Sequence, residues 1–414
     1  MRLLKVICKI IIGIVFIFSG AVKAVDPLGS AYKFGDYFQA FNLEFLQFLV
    51  LPLGILLFTT EFLAGFSVLT GYRAKTGIWV VMILMLIFTP LTFVLALTNP
   101  VSDCGCFGDA IHLTNWQTFF KNIIILIPAI FLFVKRNELK EITVPAAEWA
   151  IVTVMGIAVI TFAFYNLRHL PVIDFLPYKP GTYIPDKMII PEGKPVDQYQ
   201  TTFIYEKEGQ RKEFTLDNYP YDDTTWVFID QVSVLLKKGY EPPINDLSVI
   251  SINNEDFTDR ILYDYDYSLL MIARKLREVD EERLDAGFEL GHHCLANGIS
   301  FYVLSSSGSD EMRMYDNGLL FCSVDDITLK TMVRSDPGYI LIRNGTITGK
   351  WSWADLPEKE WFTGNMEGKS IMSLNNRSEM LTVIIFVLAL TAVIISLRMM
   401  TEKINKLKQN KIIN

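Results

Sequence analysis

The sequence predicts an α-helical membrane protein that carries an α/β domain outside the bilayer. Hydrophobic residues fill 51% of its 414 positions, and its mean hydropathy is positive, which favours membrane segments over a wholly soluble fold. A spanning helix needs roughly 20 mostly apolar residues. Six stretches qualify, at about residues 4–24, 46–70, 76–97, 116–136, 148–167 and 379–398. About 210 mostly polar residues separate the last two, which is ample for one or two domains.

The orientation follows from Lys and Arg near the helix ends, because these residues stay on the cytoplasmic side. With the N-terminus inside, the inner segments carry Arg2, Lys5, Lys9, Arg73, Lys75, Lys135, Arg136, Lys140, Arg398, Lys403, Lys406, Lys408 and Lys411. The outer loops carry few, and residues 98–115 carry none. We therefore expect both termini to be cytoplasmic and the polar segment to lie on the outer face, which is the periplasmic side of the bacterial-type inner membrane that the family resemblance given below implies.

Residues 1–24 also have the pattern of a signal peptide, with a basic start, an apolar run and a V-K-A end. Cleavage would leave five spans, but we expect a retained helix because of the family resemblance given below. The net charge of −7 argues against nucleic acid as a partner.

The first two apolar stretches contain features that bear on helix packing. Small residues at Gly13, Ser19 and Gly20 let neighbouring helices approach closely, and Asp26-Pro27 ends the first helix. The aromatic residues 34–48 predict either a segment along the outer membrane interface or an ordinary loop.

Glu61 lies well inside the second stretch, where a carboxylate is costly unless it is protonated, paired or facing a polar cavity. One interpretation is a glutamate that fixes helix packing. The other is a proton relay or a group beside a quinone. Lys9 and Lys23 are both candidate partners, and their depth along the helix does not choose between them.

Cys104 and Cys106 flank a glycine in the loop between the third and fourth stretches. A disulfide between them would close a small ring with an unfavourable torsion, so it would be reduced easily and act as an exchanger. An oxidising outer compartment suits that chemistry. The alternatives are a metal site, for which only His112, Asp103 and Asp109 lie nearby, and a simple tight turn.

The fourth stretch begins with Thr114 and Gln117, which fit a capping box. Lys121 follows one turn inside the membrane. It either extends to the surface or lies close enough to the cysteines to favour a thiolate, which Asp103 and Asp109 would oppose. These opposing charges leave the thiol pKa values open.

The stretches FSGAVKAVDPLG and DCGCFGDAIHLTNW, together with Glu61, resemble the DoxX-like membrane proteins, and the CGCFG motif is similar to their MauE-like branch. The resemblance covers about residues 1–140. It implies a four-helix bundle with its first helix retained and a role in disulfide handling outside the inner membrane. In that role Cys104 and Cys106 are the exchange pair, Glu61 and Lys121 are supporting residues, and a quinone is a cofactor by analogy.

The polar segment reads as a linker with a small β-unit at 171–240, followed by a regular pattern at 241–365. That pattern predicts a strand pair turning at Asn253-Asn254, then strand, helix, strand and a helix at about 325–333. A hairpin turning at Asn344-Gly345 completes it. The order β-α-β-α-β-β resembles the thioredoxin-like fold, with PPINDLSVI similar to peroxiredoxin and TlpA-like members and Pro337 as the expected cis-proline.

This resemblance fails at the thiol position, because residues 273–284 read ARKLREVDEERL where a thioredoxin has C-x-x-C. Thioredoxin-type exchange is therefore not expected, although Pro337 suits binding of an extended peptide. Cys294 and Cys322 are either buried structural thiols or a second reactive pair, and His292 with His293 makes no metal site alone.

The sequence thus predicts a four-helix bundle at 1–140, a fifth helix at 141–170, the two polar units, a sixth helix at 379–398 and a basic cytoplasmic tail at 399–414. The expected function is a thiol-redox or disulfide-relay component that uses the C-G-C pair, in contact with the lipid bilayer and an extracytoplasmic protein. The alternative is a non-enzymatic membrane scaffold whose thioredoxin-like domain binds a partner protein.

Overall fold

The structure, a computed structural model, describes residues 1–101, 104–139, 142, 144–216, 218–245, 247–364 and 366–369. The sixth apolar stretch, the basic tail, Asp103 and Lys140 lie outside the described residues, and the predictions on them stay predictions.

Six helices form the N-terminal part of the molecule. They are α1 (Arg2–Val25), α2 (Pro27–Ala40), α3 (Val50–Thr70), α4 (Ala74–Thr98), α5 (Asn115–Val134) and α6 (Pro145–Arg168). Among the described residues, five helices are long and apolar enough to cross a membrane, namely all of these except α2. Their exposed apolar side chains, as on Leu56, Leu86 and Ile124, are those expected to face lipid.

Side-chain capping accounts for the starts of α2 and α5. Asp26 accepts a hydrogen bond from the backbone N–H of Gly29 at 2.8 Å, and Pro27 occupies the first turn of α2, where its missing N–H costs nothing. The predicted capping box of Thr114 and Gln117 is present at α5. Residues 34–48 form the end of α2 and a 3₁₀ turn, Glu44–Leu49.

Helices α1 and α3 cross so closely that two glycines are required. A Cβ on Gly20 would lie 2.6 Å from the carbonyl oxygen of Phe58, and one on Gly65 would lie 2.7 Å from the backbone nitrogen of Ile17. Helix α6 packs on the same pair through Val159. The bundle core therefore starts from backbone contact between two helices.

Different ion pairs and hydrogen bonds connect the helices at the two ends of the bundle. At one end Lys5 pairs with Glu138, and the backbone N–H of Arg73 donates to the Glu148 carboxylate at 3.0 Å. At the other end the Asn166 amide donates to the carbonyl of Ala24 at 3.1 Å. The connection between α4 and α5 and the chain leaving α6 both lie at this second end, because the helices alternate in direction.

A short helix, α7 (Ile184–Met188), precedes a three-stranded antiparallel sheet. Its strands are β1 (Gln198–Lys207), β2 (Gln210–Thr215) and β3 (Val227–Lys237), in the order β2-β1-β3. The sequence analysis expected a small β-unit within 171–240 and did not single out β3, whose residues are all exposed.

The rest of the described chain is an α/β domain, residues 241–369. Its elements are β4 (Ile250–Ser251), α8 (Thr258–Leu262), β5 (Tyr267–Ile272), α9 (Glu281–Ala296), β6 (Ser300–Ser305), α10 (Ser309–Met314), β7 (Leu320–Ser323), α11 (Asp326–Met332), β8 (Gly338–Arg343) and β9 (Thr346–Ser352). The sheet order is β4-β7-β6-β5-β8-β9. Pairs β5–β6 and β6–β7 are parallel, and the others are antiparallel. Apolar clusters cover both faces of the sheet.

Two predictions on this domain are confirmed. The hairpin of β8 and β9 turns at Asn344 and Gly345, both with positive φ, as a two-residue turn requires. The Asp336–Pro337 peptide bond is cis.

Two predictions on the α/β domain are wrong. The expected strand pair at 241–262 is reduced to a single bridge between Ile250 and Asp256. The residues that follow form α8 instead, and the backbone N–H of Thr258 at its start donates to the Asp256 carboxylate. The expected order β-α-β-α-β-β lacks α10 and β7. Strand β7 was missed because its four residues are too few to show an alternation of apolar and polar side chains.

Candidate functional site

The loop that carries Cys104 and Cys106, here the C-G-C loop (residues 104–110), is held by hydrogen bonds to two helices. The Tyr37 hydroxyl on α2 donates to the carbonyl oxygen of Cys104 at 2.8 Å. The Ser19 hydroxyl on α1 lies 2.8 Å from the carbonyl oxygen of Cys106. These contacts fix the backbone on both sides of Gly105.

Gly105 is required where it stands. Its φ is +64°, and a Cβ there would lie 2.9 Å from Cγ of Lys33. The aliphatic part of Lys33 therefore lies directly over the loop, so α2 covers the two cysteines.

The two cysteines are unbonded thiols whose sulfur atoms lie 3.1 Å apart. The hydrogen bond from Cys104 to the Cys106 sulfur lowers the pKa of Cys106 to about 6 and raises the pKa of Cys104. The positive charge of Lys121 lowers both pKa values, while burial raises both. The pair is therefore asymmetric: Cys106 is the better thiolate and the better leaving group.

Glu61 is paired, and its partner is Lys23. The Lys23 ammonium donates to both carboxylate oxygens, at 2.8 and 2.9 Å. The two side chains are only 8% and 5% exposed. Ser19 Oγ lies 3.0 Å from Glu61 Oε2, and its single proton serves either this oxygen or the Cys106 carbonyl at one time. The ion pair is thereby connected to the C-G-C loop through one hydroxyl.

Lys9, the other candidate partner of Glu61, lies at the opposite end of α1. Its ammonium approaches Gly71, where a Cβ would meet it at 3.7 Å. Position along the helix, which the sequence could not resolve, decides between the two lysines.

A cavity of about 130 Å³ lies beneath the C-G-C loop. The two cysteines, Lys23, Glu61 and Lys121 line one part of it. The remaining wall is mostly apolar and includes Phe16, Leu57, Met85, Phe88, Leu91 and Ile125. Lys121 Nζ lies 4.4 Å from the centre of the Phe107 ring, so this side chain lies beside the cysteines. The structure thus brings together all four residues singled out from the sequence.

A second and larger cleft, of about 580 Å³, is lined by residues of α2, of the C-G-C loop and of the α/β domain, which contact one another at its edge. Lys33 lines both cavities. Arg334 borders the larger one and donates to Asp26 at 2.8 Å and to the Asp109 carboxylate. Asp109 was expected to oppose a thiolate, but here it is bound by a cation from the other domain.

Three of these contacts could not be predicted from the sequence. Tyr37 was seen only as part of an aromatic segment, and Ser19 only as a small packing residue. Arg334 precedes the expected cis-proline, but no spacing relates it to Asp26, which lies 308 positions earlier.

The two cysteines of the α/β domain do not form a second thiol pair. Cys294 and Cys322 are fully buried in clusters on opposite faces of the sheet. Burial raises the pKa of each to about 12, so neither is reactive near neutral pH. Within the described residues, no group of three or more His, Cys, Asp or Glu side chains could hold a metal ion.

Comparison with known families bears on the membrane part. Residues 1–135, which contain α1 to α5 and the whole C-G-C loop, match the family model described as Methylamine utilisation protein MauE. This part of the chain is MauE-like. The chain as a whole is a multi-pass membrane protein that sits in a lipid bilayer, with five apolar helices in its described part.

A second model, Domain of unknown function (DUF8463), matches residues 199–238, which correspond to the three-stranded sheet. No curated protein and no solved structure matches the chain.

Proposed function

We propose that this protein is a thiol-redox component of DoxX and MauE type that exchanges disulfides through Cys104 and Cys106 on the outer face of the inner membrane. The observation that carries the proposal is the asymmetric contact of the two sulfurs, 3.1 Å apart, above a cavity lined by Lys23, Glu61 and Lys121. A structural turn needs neither buried charges nor unequal thiols.

The chemistry follows from the asymmetry. With the pair oxidised, a partner thiolate attacks Cys104 Sγ, the Cys104–Cys106 bond breaks, and Cys106 leaves as a thiolate. A second partner thiolate then attacks the partner's own sulfur in the mixed disulfide, and Cys104 leaves and takes up a proton. The partner gains a disulfide and the pair holds two electrons. A low pKa at Cys106 makes it the better leaving group.

The surrounding charges act on the Cys106 thiolate. Lys121 and Lys23 both stabilise its negative charge. Glu61 opposes it but binds Lys23 in place, and Ser19 connects this pair to the loop. We assign Lys121 to charge stabilisation and Glu61 to positioning.

A return to the oxidised pair needs an electron acceptor, and the inner cavity suits a quinone ring. Its wall is largely apolar, and Lys121 and Asn122 line it as hydrogen-bond donors. A bound quinone would supply a two-electron, two-proton acceptor. The Asn122 side-chain amide also donates to the Thr92 hydroxyl at 3.1 Å. This hydrogen bond orients the amide toward α4.

The orientation and the second domain belong to the same proposal. Lys5 and Arg73 lie at the bundle end opposite to the C-G-C loop, which supports a cytoplasmic N-terminus and a periplasmic α/β domain; the cytoplasmic C-terminus is part of the same proposal. Strands β5, β6, β8 and β9 with α9, and Pro337 before β8, support a thioredoxin-like fold without its dithiol.

A second candidate function is a non-enzymatic scaffold whose α/β domain binds an extracytoplasmic protein. The observation that favours it is the inertness of Cys294 and Cys322, because a domain without an accessible thiol acts by binding alone. In this case the C-G-C loop is only a turn.

The test is the thiol state of the full chain in detergent, equilibrated with glutathione buffers, alkylated and weighed by mass spectrometry. We expect Cys104 and Cys106 to cycle between dithiol and disulfide, and Cys106 to be alkylated first at pH 7. Cys104→Ser and Cys106→Ser should fold normally but lose the cycle, while Cys294→Ser, the matched buried control, should keep it. A pair that stays reduced in every buffer, with both serine variants fully functional in a cell that needs the protein, would establish the scaffold.

A further inference from the structure

Arg334, on the segment between α11 and β8, is buried between the α/β domain and the membrane bundle. Its side chain is 5% exposed. Its Nε donates to Asp26 at 2.8 Å, one terminal nitrogen donates to Asp109, and its guanidinium carbon lies 5.3 Å from the centre of the Tyr32 ring. One side chain therefore contacts the start of α2, the middle of α2 and the C-G-C loop.

Neighbouring residues reinforce this docking. Arg274, which follows β5, donates to the Tyr32 hydroxyl at 2.7 Å and to Asp326 at 3.1 Å. Asp336 accepts from the backbone N–H of Arg274 at 3.1 Å. These residues lie beyond the carboxyl ends of the sheet's parallel strands, the edge at which open α/β sheets bind their ligands. In this protein that edge binds the C-G-C loop of the same chain, through the contact of Arg334 with Asp109.

Asp109 lies three positions after Cys106, in the 3₁₀ turn Gly108–Ala110. The turn continues directly from the thiol pair, because the N–H of Gly108 donates to the carbonyl of Gly105 at 3.1 Å. An uncompensated carboxylate here would disfavour a thiolate at Cys106. Arg334 binds the Asp109 carboxylate and supplies the compensating charge.

We propose that Arg334 is a positioning residue for the thiol pair and acts through Asp109. The α/β domain then sets the reactivity of Cys106 without providing a cysteine. The inference rests on the proposed exchange function, but it concerns thiol reactivity, which is measured separately from redox cycling.

The experiment measures the rate of Cys106 alkylation by iodoacetamide in the full chain, from pH 5 to 9, by mass spectrometry. The charged and titratable groups around Cys106 are Cys104, Lys121, Lys23 and Glu61, together with Lys33 and Tyr37, which line the same cavity. All of them are unchanged in every variant. We expect Arg334→Gln to slow alkylation at pH 7 about threefold and to move the profile to higher pH, since an uncovered carboxylate reduces the thiolate fraction.

Three further variants test the route. Arg334→Lys should recover most of the rate, because it keeps the charge. Asp109→Asn combined with Arg334→Gln should return the rate to near the unsubstituted value. Arg343→Gln, the matched control, removes an arginine on the same domain that pairs with Glu367 at 3.3 Å and should change nothing.

An unchanged profile in Arg334→Gln, with the α/β domain still folded by circular dichroism, would overturn the proposal. So would additive effects of the Arg334 and Asp109 substitutions, since Arg334 would then not act through Asp109. If Arg334→Gln does not fold, Asp109→Asn alone decides: we expect equal or faster alkylation, and slower alkylation refutes the proposal. Failure of the pair to cycle in glutathione would count against the exchange function while leaving these rates interpretable.

Discussion

Removing one partner of the buried pair formed by Lys23 and Glu61 should destabilise the bundle far more than removing a surface charge. Lys23→Met leaves a carboxylate 5% exposed with Ser19 as its remaining hydrogen-bond partner. Breaking a buried ion pair in this way costs about 3–5 kcal/mol. We expect about 3 kcal/mol, because the carboxylate relieves part of the cost by taking up a proton.

The measurement is the free energy of unfolding of the detergent-solubilised chain, followed by helical circular dichroism in denaturant. The double variant Lys23→Met with Glu61→Leu should lie within about 1 kcal/mol of the unsubstituted protein, since no charge is left buried. Lys5→Met, which breaks the more exposed pair with Glu138, is the control and should cost about 0–1 kcal/mol.

Two results would refute this reasoning. An equal cost for Lys23→Met and Lys5→Met would mean that the first pair is solvated. A double variant as unstable as the single ones would mean that packing, and not charge, accounts for the loss.

Two other predictions concern the loop and the α/β domain. Gly105→Ala should cost about 1 kcal/mol for its positive φ and should displace Lys33, slowing or preventing disulfide formation. Gly181→Ala, at φ +87° with nothing within 4 Å, carries the same backbone strain and should leave the thiols unaffected, so equal effects on the thiols would contradict the contact with Lys33. Burial raises the pKa of Asp336 to about 6, above its value in the unfolded chain. The folded state therefore binds more protons, and stability should fall by about 2–3 kcal/mol as the pH rises from about 4 to about 6, then stay level. Thermal unfolding of the α/β domain across this range should show that slope, and Asp336→Asn should remove it; a slope that persists in the variant would assign it to another group.

The sequence was informative where a local pattern was long. The apolar runs gave the membrane helices, the capping residues Thr114 and Gln117 gave the start of α5, and Asn344-Gly345 gave the hairpin. Such features depend on neighbours within one or two turns, so a single stretch contains them. The four residues of β7 are too few to show an alternation of apolar and polar side chains, and β3 was not singled out within the expected β-unit.

The candidate site was only half accessible to the same reasoning. Cys104, Cys106, Glu61 and Lys121 are unusual for their surroundings, and that alone singled them out. Which of Lys23 and Lys9 pairs with Glu61 depends on how α1 crosses α3, and the sequence does not show that crossing. The contacts of Tyr37 and Arg334 depend on how two distant segments dock, which no spacing along the chain encodes.

The glycine contacts between α1 and α3 have a mechanical consequence. With Gly20 against the Phe58 carbonyl and Gly65 against the Ile17 nitrogen, the two backbones leave no clearance for sliding or rotation. The two helices therefore behave as one rigid unit. Lys23 on α1 and Glu61 on α3 keep their positions relative to each other. Access of a partner to the cysteines then depends on the other walls of the cavity, and above all on α2, whose Lys33 and Tyr37 contact the C-G-C loop.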